Sequence, residues 1–240
     1  MTCASPPPTL ALVTGASRGI GAATARALCA AGTHVLATDI DLQGLEETAA
    51  AVRAAGGTID TCRMDVCDTG SVDQSVSAAA RTYGRGFDVL VNNAGYATVA
   101  TLDEITDEHW AHTVNLNLMS MMRVARAVVP GMRERGGGHI ICLGSIAGYT
   151  SGWPGRLAYS SAKAGVAGFV KSLAMELAPQ AIRVNGVAPA GLHASADQVP
   201  LGRVGTPDDI GAFIGLLTSP HAAFMTGQMI SVDGGMSVAL

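Results

Sequence analysis

The stretch Thr9 to Gly21, TLALVTGASRGIG, constrains this chain more than any other: a short apolar run passes directly into a glycine turn and then into a helix-forming segment, GIGAATARALCAAG. LALVT reads as a strand, and the residues after it have no room for a hairpin. Gly15, Gly19 and Gly21, spaced G-x-x-x-G-x-G, let the backbone turn tightly and approach a pyrophosphate at the N-terminus of the following helix. Ser17, Arg18 and Ile20 occupy positions between them and are candidate contacts of the same ligand.

A strand that feeds a helix must find its neighbour through a crossover, and the rest of the sequence supplies them in turn. HVLATD reads as a strand, Asp41 to Ala55 as a helix, TIDTCRMD as a strand, Ser71 to Tyr83 as a helix, and FDVLVNNAG as a strand. A long helix within Asp107 to Met132 follows, then strand HIICLGS, a helix from Leu157, strand IRVNGVAP, a helix from Pro207 to Leu217, and a last strand MISVD. Strands alternating with helices give a doubly wound parallel sheet covered on both faces. No repeat, linker or low-complexity break interrupts the 240 residues, so residues 1–240 are expected to form one domain, with 1–8, rich in proline, as a loose start.

Composition narrows the function classes. A formal net charge of −4, with no basic cluster, excludes a nucleic-acid partner. No apolar run is long enough to span a bilayer and no leader pattern opens the chain, so a cytoplasmic location with no membrane partner is expected. The five cysteines are scattered and read as free thiols, and no metal site is indicated by the spacing of Cys and His.

Candidate chemistry centres on residues 144–163, GSIAGYTSGWPGRLAYSSAK. Tyr159 and Lys163 lie four apart on a helix and therefore on one face. A fixed ammonium favours the phenolate and is expected to lower the tyrosine toward the working pH, as a general acid/base requires. Ser145 follows an apolar strand, so its hydroxyl emerges at the strand's carboxyl end, where open α/β sheets bind ligands. Asp39, at the end of the second strand, is placed to accept hydrogen bonds from an adenine ribose, and no lysine or arginine flanks it in sequence. The helix from Leu157 is apolar on nearly every face and is expected to be buried all round, partly against another subunit.

These motifs in this order resemble the short-chain dehydrogenase/reductase family, in its 3-oxoacyl-reductase-like branch, and the resemblance runs from Thr9 to Val232. It implies a Rossmann-type seven-stranded sheet and a nicotinamide dinucleotide held by the glycine loop, by Asp65 and Val66, by Asn93, Ala94 and Gly95, and by Pro189, Tyr159 and Lys163. It implies a catalytic set of Asn115, Ser145, Tyr159 and Lys163, and a homotetramer or homodimer built on the two long helices. Tyr159 would exchange a proton with a carbonyl oxygen that Ser145 also binds, Lys163 would grip the nicotinamide ribose, and Asn115 would hold a proton-relay water. The expected activity is hydride transfer between a secondary alcohol and a ketone. An epimerase or dehydratase of the same fold, or a non-catalytic NAD(H)-binding subunit, are the alternatives. Asp39, weighed above Arg18, predicts NAD, with NADP disfavoured.

Two departures from the family pattern stand out. Pro189 is followed by Ala190, with Ala194 where a threonine is usual, and only ten residues separate Pro189 from Pro200. So short a lid predicts an open cleft that suits a bulky or cyclic ketone, lined by Tyr96, Tyr149, Trp153, Leu192 and His193.

Overall fold

A computed structural model describes residues 9–190, 192 and 194–239. The N-terminal segment 1–8 and His193 lie outside the described residues. Seven parallel strands form one sheet in the order β3-β2-β1-β4-β5-β6-β7. Their bounds are β1 (Leu10–Thr14), β2 (His34–Asp39), β3 (Ile59–Arg63), β4 (Val89–Asn92), β5 (Gly138–Leu143), β6 (Ile182–Pro189) and β7 (Met229–Val232). The direction of progression reverses between β1 and β4, leaving a crevice above their carboxyl ends. This is the expected doubly wound Rossmann-type sheet in one domain.

The central strands carry apolar residues on both faces because helices cover both sides. One layer packs Leu10, Leu12 and Leu90 against α3 (Thr69–Tyr83), α5 (Ser120–Glu134) and α7 (Leu157–Leu177). The other packs Ala11, Val13 and Val91 against α1 (Gly19–Ala30), α2 (Leu42–Ala54) and α8 (Pro207–Thr218). Alternate residues of a strand point to opposite faces, which assigns each to its layer.

Local sequence sets the helix ends. Asp41 accepts from the Gly44 amide at 3.1 Å at the start of α2, and α3 stops where Gly84 turns left-handed with φ of 65°. Thr206 and Asp209 form a reciprocal capping box at α8, with Pro207 in its first turn.

One expectation is refined. The single long helix is α4 (Asp107–Val114), a π-helical turn at Asn115–Met119, and then α5. Within it Asn117, fully buried, donates its amide to the Thr113 and Tyr96 carbonyls, both at 3.1 Å. A π turn adds a residue to the helical circuit and re-aims the side chains around it. In the isolated chain α7 turns Ala158, Ala162, Val166, Val170, Ala174 and Leu177 to the sheet and leaves Met175 open on the outer side, where the contact with another subunit is expected. Small apolar residues outnumber polar ones on this helix, so its sequence pattern does not mark which stripe faces inward.

Near the N-terminal end of the sheet, β5 buries His139. Arg183 Nη2 lies 3.0 Å from its Nδ1 and Asn185 Nδ2 lies 3.1 Å from its Nε2, so both ring nitrogens face donors. Burial first, and the Arg183 charge second, push the imidazole down from 6.5 to about 3. A base whose folded value is depressed binds its proton in the unfolded chain first, so this ring withdraws stability as pH falls from 6.5 toward 3. Denaturant unfolding across that window should show a shallower acid limb for His139→Gln than for the wild type; parallel limbs would refute the assignment.

Candidate active site

The glycine turn is held by side chains from the neighbouring strand. Thr14 Oγ accepts from the backbone amides of Asn93 and Ala94, both at 3.0 Å, and donates to the Val91 carbonyl at 3.4 Å. Asn93 Nδ2 donates to the carbonyls of Thr14 and Gly15 at 2.8 and 2.9 Å. A β-carbon on Gly15 would stand 2.8 Å from Ala94 Cα, and one on Gly21 would stand 2.0 Å from the Gly15 carbonyl oxygen. These glycines are required by backbone approach. Gly19 has φ of 57° with open space where a β-carbon would project, and no side chain caps the first turn of α1. A cradle of free amides at a helix N-terminus, beside the reversal of strand order, fits the pyrophosphate of a dinucleotide.

Further along this edge, the Ser17 amide donates to Asp39 Oδ2 at 3.2 Å and the Asp41 amide to Oδ1 at 3.1 Å. Asp39 is paired in register with Arg63 on β3, so the two side chains leave the sheet on the same side. Asp65 Oδ1 accepts from the Cys67 amide at 2.8 Å and Val66 is buried beside it. Pro189 closes β6, and the Ala190 amide donates to the Val232 carbonyl at 3.3 Å.

On the other side of the crevice, β5 delivers Ser145 at the start of the short, irregular α6 (Ile146–Tyr149), its hydroxyl accepting from the Ala147 amide at 3.1 Å. Tyr159 and Lys163 face it from α7. The lysine is 3% exposed; its ammonium donates to the Leu143 carbonyl at 2.7 Å and lies 5.8 Å from the centre of the Tyr159 ring. Burial raises Tyr159 above its ordinary value, while the Ser145 hydrogen bond and the Arg156 charge pull it back. The expected depression of this phenol by Lys163 is therefore corrected: desolvation outweighs the attraction of the charges around it.

The structure brings Asn117, and not Asn115, into this group. A point one bond from Gly95 Cα lies 2.6 Å from Asn117 Oδ1 and 3.7 Å from Lys163 Nζ. Asn115, two positions earlier and so on the far side of the helix, has a buried Oδ1 without a partner among the described residues. Only the π turn distinguishes the two asparagines.

The cleft residues are scattered around the rim. Tyr96 is half exposed and its hydroxyl lies 3.0 Å from His112 Nε2; Trp153 is 40% exposed. The Tyr149 hydroxyl donates to the Met229 carbonyl at 3.3 Å, which carries it toward β7. Leu192 packs, with Ile20, against the apolar layer on the α1–α8 side.

A family model described as enoyl-(acyl carrier protein) reductase matches residues 15–237. The chain belongs to the short-chain dehydrogenase/reductase family. It is 38% identical to the 3-oxoacyl-(acyl-carrier-protein) reductase FabG of Escherichia coli over 95% of this chain and 96% of that one. It is 36% identical to the short-chain reductase protein NovJ of Streptomyces niveus over 94% of this chain and 93% of that one. Among solved structures, a variant of actinorhodin polyketide ketoreductase with NADPH superposes with a TM-score of 0.91 at 34% identity, covering 97% of this chain and 98% of that one.

The NADPH of that short-chain dehydrogenase/reductase overturns the expectation of NAD with NADP disfavoured. The physical reason lies in the sheet. Asp39 has no basic neighbour in sequence, but Arg63 stands beside it across the β2–β3 register, and two backbone amides already occupy its carboxylate oxygens. Arg18 makes no ion pair among the described residues and sits exposed at the loop's end. Arg18 is visible in the sequence but is outweighed there by Asp39; Arg63 is not visible in a linear reading around position 39.

Burial lowers Lys163 from 10.5 to about 8, so its charged form costs stability below about pH 8. The unfolded chain holds more protons between 8 and 10.5, and stability contributed by this group rises across that interval. Denaturation of the cofactor-free protein should show that rise in the wild type and lose it in Lys163→Met; equal slopes would mean that the ammonium is solvated.

Proposed function

We propose that this short-chain dehydrogenase/reductase is an NADP(H)-dependent ketoreductase acting on a bulky or cyclic ketone, or on the corresponding secondary alcohol, with Tyr159 as general acid/base. The observation that carries the reading is the convergence of Ser145, Tyr159 and Lys163 beside a glycine cradle: Ser145 acts on the phenol through a hydrogen bond, and the lysine ammonium lies 5.8 Å from its ring. The chemistry supplied by the dinucleotide, when bound, is donation of hydride to a carbonyl carbon.

The side chains then divide the remaining work. Ser145 donates a hydrogen bond to the substrate oxygen and fixes it in line with the phenol, which gives its proton as negative charge develops there. Lys163, anchored to the Leu143 carbonyl, supplies a fixed positive charge beneath the site and a donor for the cofactor ribose. Asn117, beside Lys163, takes the relay position expected for Asn115: its free Oδ1 is an acceptor for a water that returns a proton from bulk. Asn93, Ala94 and Gly95 complete the cofactor wall. Arg18 and Arg63 offer two cations to a ribose 2′-phosphate, which Asp39 alone would repel.

The short segment after Pro189 gives little cover over the nicotinamide side, so a bulky substrate must exclude water there itself. The groove between α5 and α7, lined by Met122, Val129, Phe169 and Leu173, supports self-association through these helices.

In steady-state assays over a panel of cyclic and aryl ketones, Tyr159→Phe should retain cofactor binding and lose at least about 10²-fold in kcat, the usual contribution of a positioned acid/base. A variant within threefold of wild type would end this mechanism, and product formation without net consumption of reduced cofactor would replace it with epimerisation. For the cofactor, kcat/KM should favour NADPH over NADH. The double change Arg18→Ala with Arg63→Ala should cut the NADPH value by roughly 10–100-fold, the worth of one or two charge-assisted hydrogen bonds. Equal use of both cofactors by the wild type would refute the assignment of these arginines.

A further inference from the structure

One cation beside Tyr159 has no ion-pair or hydrogen-bond partner among the described residues. Arg156 stands at the N-terminal boundary of α7, three residues before Tyr159, and its guanidinium carbon lies 6.0 Å from the centre of the tyrosine ring. Its guanidinium meets that ring, and the side chain makes no ion pair or hydrogen bond among the described residues. The carboxylate of Glu104, four residues after Ala100 in sequence, is taken by the amide and hydroxyl of Thr101, at 3.0 and 2.8 Å. The backbone of Arg156, in contrast, is fixed from three directions. Its amide donates to the Trp153 carbonyl, its carbonyl accepts from the Ser160 amide at 2.7 Å, and it pairs in a β-bridge with Ala100. The guanidinium is thus a free head on a rigid base.

The surroundings favour negative charge. No acidic residue lies in the first turn of α7 and no side chain caps it, so the positive end of the helix adds to the arginine. Val99 and Leu102, on either side of the bridged Ala100, and Trp153 and Leu157, on either side of Arg156 in sequence, are exposed apolar residues. A planar donor fork beside apolar surface suits a carboxylate carried on a ring or an alkyl body.

We propose that Arg156 binds a carboxylate of the substrate, so that the ketone reduced here is an acidic one, with the carboxylate and the carbonyl a few bonds apart. The proposal rests on the ketoreductase reading for the carbonyl and on Arg156 for the anion. The spacing favours one source of anionic oxygen: with the guanidinium 6.0 Å from the ring, a phosphate at the far end of a long carrier arm would have to fold back on itself to reach Arg156 while its ketone reaches Tyr159. Arg156 also lowers the proton affinity of Tyr159, which acts on every substrate alike and cancels in a ratio of two substrates.

The test is the ratio of kcat/KM for 4-acetylbenzoate to that for the neutral 4-acetylbenzamide, in wild type, Arg156→Gln and Arg156→Lys. The wild-type ratio should exceed one and fall roughly 10–100-fold in Arg156→Gln, the scale of a charge-assisted bidentate pair, with partial recovery in Arg156→Lys. An unchanged ratio, or a shift in the pH profile common to both ketones with no change in ratio, overturns the proposal. Calorimetric titration of benzoate and benzamide into the protein loaded with its nicotinamide cofactor gives a readout independent of turnover. Benzoate should bind the more tightly, and Arg156→Gln should abolish the difference. Arg156-dependent benzoate binding with neither ketone reduced would support the anion site and refute the ketoreductase reading. Reduction of both ketones at equal efficiency, with no benzoate preference, would do the reverse.

Discussion

The hydroxyl of Thr14 is the joint on which the site depends. A threonine hydroxyl has one proton and two lone pairs, and here all three are committed: the proton to the Val91 carbonyl, the lone pairs to the amides of Asn93 and Ala94. It sits where β1 and β4 part, the place at which the sheet stops supplying its own hydrogen bonds and the backbone amides of two loops would otherwise be left without acceptors. Asn93 returns the tie to the Thr14 and Gly15 carbonyls. The glycine turn on one side and the Asn-Ala-Gly turn on the other are thereby one rigid body. Gly95 carries that rigidity on to Asn117 and Lys163, which crowd the space where its side chain would be.

Charge is distributed over the site by depth. The Lys163 ammonium is buried against one carbonyl and one ring, with no carboxylate among its contacts, and its proton is held weakly for a lysine. The arginines stand at the rim, where guanidinium groups keep their charge in any environment. Arg18 and Arg63 flank the end of β2, and Arg156 flanks the Tyr159 ring. Desolvation thus acts on the lysine, which can lose its proton, while the charges at the rim belong to guanidinium groups, which keep theirs.

Much of this arrangement was legible in the sequence, and the failures have physical causes. Strands and helices were readable because buried runs such as HIICL and caps such as Asp41 and Thr206 leave local signatures. Ser145, Tyr159 and Lys163 were found because strand-end and i,i+4 placements follow from one element each. Asn117 was missed because two asparagines two residues apart look alike until a π turn decides which one faces inward. Arg63 was missed because it lies 24 residues from Asp39 in the chain and becomes its neighbour only through the register of β2 and β3. The inner stripe of α7 was hidden by a uniform run of small apolar residues.

The end of the short lid is fastened to the last residues of the chain. Val199 is buried, the Leu201 amide donates to the Gly234 carbonyl at 3.1 Å, and the bare α-carbons of Gly234 and Gly235 give room to Val199 and Pro200. Asp233 closes that final turn by accepting from the amides of Gly235 and Ser237. The turn at 233–237 is therefore the clasp of the segment around Val199, and a tag, fusion or trimming beside it would loosen that attachment.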